Sequence, residues 1–304
     1  MMFEKLLAEL ECTAAVFVRR IWSGEDISLT RTELADFKKF LAIMMYRGEH
    51  RRKQYFEDRF DFATRMTIKK HMRENNISKI QDVWFENLKW IIKTPIEDIL
   101  KEFERAHGPM DPFAIMVAYR GPIHAVELLD FGYMVMNTVC IWHAEEGSEF
   151  ILSNTSFGSF EGDMGVNFHS FFVVSPEYAV VLISRLYMNG QMEMLPLRKS
   201  WFGKELRAFP DAVYMNENPK SQDDFTKDDV FKYRRIVVPK QKVYLVNSIL
   251  LDSRDKYITY KSSPSMYKSL LYYDKHKGEL FHNQYDYSIL KRKVFAEMNR
   301  THSA

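Results

Sequence analysis

The sequence predicts an α+β protein in which a helical amino-terminal half packs on a mainly antiparallel β-sheet, with closing helices at the carboxyl end. Apolar residues recur at three- and four-residue spacing through roughly the first 130 positions. From Met134 the chain turns to short runs of β-branched and aromatic residues, and from Pro264 the helical spacing returns. Helix-rich followed by strand-rich is the order expected of helices laid against an antiparallel sheet. We read one domain over residues 1–304, with sub-regions 1–130 helical, 131–262 strand-rich and 263–304 helical.

Phe3, Leu6, Leu7, Leu10, Ala14, Phe17, Val18 and Ile21 form one stripe of an amphipathic helix, stopped by Ser23-Gly24. TRTE opens the next: Thr30 can accept a backbone N–H three residues on while Glu33 reaches back, a capping box, and Leu34, Phe37, Leu41, Met44 and Met45 supply the buried face. A third helix is expected from Phe56 to Asn75 and a fourth from Ile80 to Ile92. Pro95 starts another near Ile96, Gly108-Pro109 ends it, and Phe113 to Tyr119 begins the next. In the strand-rich region MVMNTVCIWHA leads, Gly147 turns the chain, and Glu149 to Ser153 follows. FFVV and AVVLISRLY are separated by Ser175-Pro176, and Asn189-Gly190 signals a tight hairpin. The polar stretch 215–229 reads as a mobile loop, YRRIVVP as a strand, and KVYLVNSILL as a strand or a helix. SMYKSLLYYDKH and YDYSILKRKVFAEMN close the chain as helices.

Hydrophobic residues at 46% and charged residues at 28% describe a folded protein with a substantial core. Aromatics at 14% thicken that core and leave rings over for an interaction surface. Forty-three basic against 41 acidic side chains give a charge of +2, so net charge does not indicate nucleic-acid binding. With Cys12 and Cys140 alone there is neither a disulfide framework nor a four-cysteine zinc site. The amino end has acids within its apolar stretch and no basic region ahead of it, and no apolar run approaches the roughly 20 residues that cross a bilayer. The expectation is an intracellular, cytoplasmic protein without membrane contact, in which the sequons at Asn154 and Asn299 have no consequence. GxSxG, P-loop, HExxH and dinucleotide fingerprints are all missing, and no cofactor is expected.

The segments EKLLAELE, LTRTELADFKKFLAIMMYRGEHRRK, ILS, SFGSFEG and FFVVSPEYAVVL, in that order, resemble the "domain of unknown function 4238" family. VYLVNSILLDSRDKYITYKSS is similar to its fungal members. The resemblance covers most of the chain and implies an intracellular helix-and-sheet domain without an agreed activity. Many members begin with a His-Tyr-Val-Pro motif that does not occur here, so the chain is expected to start after it. Arg47-Gly48-Glu49 stands where members often carry Arg-Thr-Pro, and Ser153-Asn154-Thr155-Ser156 where bacterial members carry Ser-Asp-Asn-Pro.

Two places carry candidate chemistry. In RGEHRRK, Arg47 and Arg51 share one helical face and could clamp a phosphate or carboxylate; a solvated helix end with favourable cations is the plainer reading. Arg47, directly after LAIMMY, is expected to be buried and bonded to the strand-rich half. SFGSFEG reads as a glycine-bracketed turn, and Glu161, Asp163 and His169 are its acid–base candidates. Cys140 and His143 have ligand spacing but point to opposite faces of a strand, so no metal site is expected. Two functions remain: a non-catalytic binding or scaffold module for a protein or a phosphate-containing ligand, or a hydrolase acting on a phosphate-containing substrate. In the second, Arg47 and Arg51 bind the anion and Glu161, Asp163 and His169 move protons.

Overall fold

The computed structural model describes residues 2–23, 27–107, 112–163, 166–183, 200–202, 215–216, 229–253 and 256–301. The chain divides into two compact units, residues 1–17 with 30–137 and residues 18–29 with 138–304.

The first unit is built from helices: α1 (Met2–Trp22, whose residues 18–22 count with the second unit), α2 (Arg31–Arg47), α3 (Glu49–Phe56), α4 (Phe62–Glu74), α5 (Ile80–Lys93), α6 (Ile96–His107), α7 (Pro112–Ala118) and α8 (Ala125–Met136). The capping box forms as expected: Glu33 N donates to Thr30 Oγ1 at 3.2 Å and Thr30 N to Glu33 Oε2 at 2.9 Å. Phe17 stacks on Phe37 with ring centroids 4.1 Å apart. Lys39, though buried, places its Nζ on the carbonyls of Ile92 (2.9 Å) and Thr94 (2.7 Å), where a cation meets the negative end of α5. Gly132 lets α8 approach α6, since a Cβ there would run into the Phe103 ring.

Three expectations change here. The helix expected from Phe56 to Asn75 starts later, as α4 at Phe62, and a separate helix, α3, precedes it: Asp58 takes φ 51° and Asp61 caps α4 by accepting from Thr64 N at 2.9 Å. The region around Met134, read as strand, is the end of α8, whose all-apolar last turn hides its helical period. A short strand, β1 (Ile27–Thr30), lies within the stretch read as wholly helical.

The second unit carries β2 (Thr138–Ala144), β3 (Leu152–Ser153), β4 (Phe157–Asp163), β5 (Val166–Val173), β6 (Tyr178–Ile183), β7 (Met215–Asn216), β8 (Val230–Tyr233), β9 (Arg235–Val238), α9 (Lys240–Ser253), β10 (Ile258–Thr259), α10 (Ser263–His276) and α11 (Ser288–Thr301). Its main sheet runs β4-β5-β6-β2-β9, antiparallel except that β9 lies parallel to β2 with Ile141 opposite Arg235. Two smaller sheets, β1-β8-β7 and β10-β3, complete the described strands. Gly147 takes φ 78°, the turn expected of it. SFGSFEG is a strand and not a turn: it forms β4, and its register against β5 slips between Phe157 and Ser159 and between Glu161 and Gly162. The glycines therefore mark bulges. The hairpin at Asn189-Gly190 and residues 217–228 of the expected loop lie outside the described residues.

Trp142 of β2 sits in the core beside Phe171 (5.8 Å between centroids) and Phe202 (5.2 Å). Against this core lies α9, buried without interruption from Val243 to Asp252. A helix hydrophobic all round has no amphipathic signature, which is why its sequence fits strand and helix equally. Its one buried amide, Asn247, accepts from Ile151 N (3.0 Å) and donates to Glu149 O (2.8 Å) and Ser269 Oγ (2.9 Å). Asn247→Ala is expected to destabilise by about 2–4 kcal/mol, because it strands a buried N–H and a buried C=O. A lower urea midpoint at unchanged slope checks this.

Candidate functional site

In the sheet unit, the β4–β5 register places Glu161 opposite His169, so both side chains lie on one face. Both are fully buried. Ser200 Oγ donates to Glu161 Oε2 at 2.9 Å and lies 3.0 Å from His169 Nε2, while Trp201 N donates to Glu161 Oε1 at 2.5 Å. The same Oγ accepts from Phe202 N at 3.1 Å. A hydroxyl has one proton, and here it goes to the carboxylate; His169 Nε2 is then the donor to Ser200. Trp142, Phe171 and Phe202 surround the imidazole, and burial among them pushes its pKa down to about 3. A neutral imidazole that donates through Nε2 is no base toward this serine. In a nucleophilic triad the carboxylate orients the far ring nitrogen, whereas Glu161 Oε2 lies 3.8 Å from Nε2 itself. The arrangement can hold residues 200–202 against β4 and β5. Trp201 O extends the hold by accepting from Lys242 Nζ at 2.7 Å.

In the helical unit a second polar cluster lies between α2, α3, α4, α5 and α8, buried except for Asp130 at its edge. Arg51 Nε lies 3.6 Å from Glu127 Oε2, and Arg51 also pairs with Asp130 through Nη2. Tyr55 Oη donates to Glu127 Oε1 at 2.5 Å. Asn87 Oδ1 accepts from His124 N at 3.0 Å, and His124 Nε2 lies 3.3 Å from Thr67 Oγ1. Burial raises the Glu127 pKa against the opposing pull of Arg51, and it raises Tyr46 and Tyr55 with added help from the Glu127 charge. Burial, with His71 and Arg51 nearby, lowers His124 to about 3. Burial alone would lower Arg51; Glu127 and Asp130 more than offset it, so the guanidinium stays charged. Displaced titrations concentrated in one place mark a candidate site. Its guanidinium, however, already carries two carboxylates.

Of the residues expected from sequence, Glu161 and His169 do come together. Asp163 ends β4 opposite Val166, and its side chain lies outside what the structure describes. Arg47 departs from its expectation: it is about one-third exposed and pairs with Glu11 of α1 at 3.2 Å, a partner in the helical unit. The apolar run ahead of it buries the helix face, but Arg47 falls on the edge of that face. Arg47 and Arg51 belong to the helical unit and Glu161 and His169 to the sheet unit. Cys140 is buried in β2, and His143 stacks on Tyr178. Among the described residues, no group of three or more His, Cys, Asp or Glu side chains is placed to hold a metal ion, and no helix is long and apolar enough to cross a membrane. The sequence reading missed Tyr46, Tyr55, Asn87, His124 and Glu127. Glu127 and Asp130 had left a trace, as two acids in the apolar stretch AVELLDFGYMV.

Fold and sites define a mixed helix-and-sheet protein whose chemistry-bearing side chains are largely built into its interior. The chain belongs to the family described as "Protein of unknown function (DUF4238)", whose model matches residues 1–264. No curated protein and no solved structure matches it.

The two arginines differ in what they leave behind. Arg51→Ala is expected to cost about 3–5 kcal/mol, because it leaves Glu127 buried without its countercharge. Arg47→Ala, which breaks a half-exposed pair, should cost no more than about 1 kcal/mol. Urea unfolding of both variants separates them.

A pH effect follows from His169. Its folded pKa of about 3 lies below the roughly 6.5 of an unfolded histidine, so the unfolded chain binds more protons between those values. Stability therefore falls as pH drops through this window. His124 acts with the same sign. His169→Gln is expected to shrink the loss of melting temperature between pH 7 and pH 5; an equal loss in both proteins would contradict the assignment.

Proposed function

We propose that the chain is a non-catalytic binding module, acting as one domain over residues 1–304. One observation carries the reading: Glu161 and His169, the residues best suited to acid–base chemistry, are fully buried and spend their hydrogen bonds on Ser200 and Trp201. A general base works best with a pKa near the working pH, and an imidazole near 3 is far from it. Arg47 and Arg51, the candidate anion binders, each hold carboxylates of the chain's own. The reading places the protein in the cytoplasm, among fungal-type members of its family. An exposed, unpaired Cys12 favours a reducing compartment.

The alternative, a hydrolase of phosphate-containing substrates, would need Arg51 to leave Glu127 and His169 to reach solvent. Hydrolysis of p-nitrophenyl phosphate by the full chain, with inorganic phosphate binding measured by calorimetry, tests the choice. We expect neither to exceed that of an Arg51→Lys, His169→Gln double variant. Turnover that disappears in the folded double variant would establish the hydrolase instead; phosphate binding that disappears without any turnover would make the anion the module's ligand.

A further inference from the structure

The outer face of α4 leaves apolar and basic side chains together in solvent. Phe62, Met66, Lys69 and Arg73 follow one another at four-, three- and four-residue spacing and so form a single stripe. Phe62 is 78% exposed and Met66 48%. Beside the stripe lies an open, shallow groove of about 480 Å³, lined by Met66, Lys69, Met72, Arg73, Asn76 and Ile77 of α4 and the chain just after it. Asn76 closes its end: with φ at 54° it turns the chain back, and Ile77 N donates to Met72 O at 2.8 Å. Such a volume suits one or two large side chains, and methionine walls adapt to what enters.

The charges around the groove are unevenly used. Arg65 is paired with Asp58, Arg120 with Glu74, and Lys70 donates to Val117 O. Lys69 and Arg73 are exposed and make no ion pair or hydrogen bond among the described residues. Residues one helical turn apart have Cβ atoms about 6 Å from each other, a spacing that carboxylates one turn apart on a second helix would match.

We propose that this groove docks an acidic amphipathic segment of a partner protein. One large apolar side chain enters between Met66, Met72 and Ile77, and carboxylates pair with Lys69 and Arg73. The proposal rests on the binding-module reading and names its kind of partner. An anionic membrane fits less well, because stable attachment needs a second anchor beyond two cations.

The test selects displayed random dodecapeptides on the full chain and measures their binding by fluorescence anisotropy. Lys69→Glu/Arg73→Glu is compared with Lys268→Glu/Lys293→Glu, which makes the same charge change at exposed positions on α10 and α11. We expect enriched peptides to combine acidic with large apolar residues. Their affinity should fall about tenfold or more in Lys69→Glu/Arg73→Glu alone, and also with added salt. Failure to enrich any such peptide overturns the proposal. Peptides that bind both variants equally overturn the groove while leaving a binding module elsewhere. Lys69- and Arg73-dependent sedimentation with phosphatidylserine–phosphatidylcholine vesicles, without peptide binding, overturns it in favour of a lipid surface. Groove-dependent peptide binding alongside phosphate-ester turnover would uphold the groove and end the non-catalytic reading.

Discussion

A helix buried on every side must satisfy each of its polar side chains inside the protein, and α9 sets this condition for the sheet unit. From Val243 to Asp252 every residue is buried, and of its polar side chains the Tyr244 hydroxyl alone finds no hydrogen bond among the described residues. Asn247 answers by binding the chain at Glu149 and Ile151 and the side chain of Ser269 on α10. Asp252 answers by accepting from Tyr273 Oη and from the backbone of His282 and Asn283. Apolar burial supplies the bulk of the stabilisation, but it is indifferent to small slips. The buried hydrogen bonds are not, because each one lost strands its partner. Through them α9 fixes the segment between β2 and β3, the packing of α10 and the chain that leads into α11.

The same physics decides what the chemistry-bearing residues can do. Glu161 and His169 are a pair that, half in water, would suit proton transfer. Enclosed by Trp142, Phe171 and Phe202, the imidazole is neutral and the carboxylate is a fixed acceptor. Arg51 shows the converse. Its charge survives burial because Glu127 and Asp130 surround it, and those partners occupy the geometry an anionic ligand would need. Desolvation silences one group and self-pairing spends the other. At the surface, by contrast, Lys69 and Arg73 make no ion pair or hydrogen bond among the described residues, and Met66 and Phe62 meet solvent.

Much of the fold was legible before any coordinates. The stripe from Phe3 to Ile21, the capping box at Thr30 and Glu33, the turn at Gly147 and the closing helices all rest on contacts within a few residues, and those survive in the folded chain. SFGSFEG misled because two glycines bracket a turn in most sequences, whereas here they mark bulges in β4. The partners of Glu161 were invisible for another reason: Ser200 and Trp201 lie 39 and 40 residues away, and no local pattern announces such a pairing.

The sequence by itself determined the fold class, the family and most helix boundaries, because periodicity, caps and turn residues act over one or two helical turns. Only the tertiary structure decided that Glu161 and His169 are buried against Ser200 and Trp201, that Arg51 is neutralised by Glu127 and that Lys69 and Arg73 are left unpaired among the described residues. Those outcomes depend on which distant side chains exclude water from a group and which supply a countercharge, and long-range packing alone sets both.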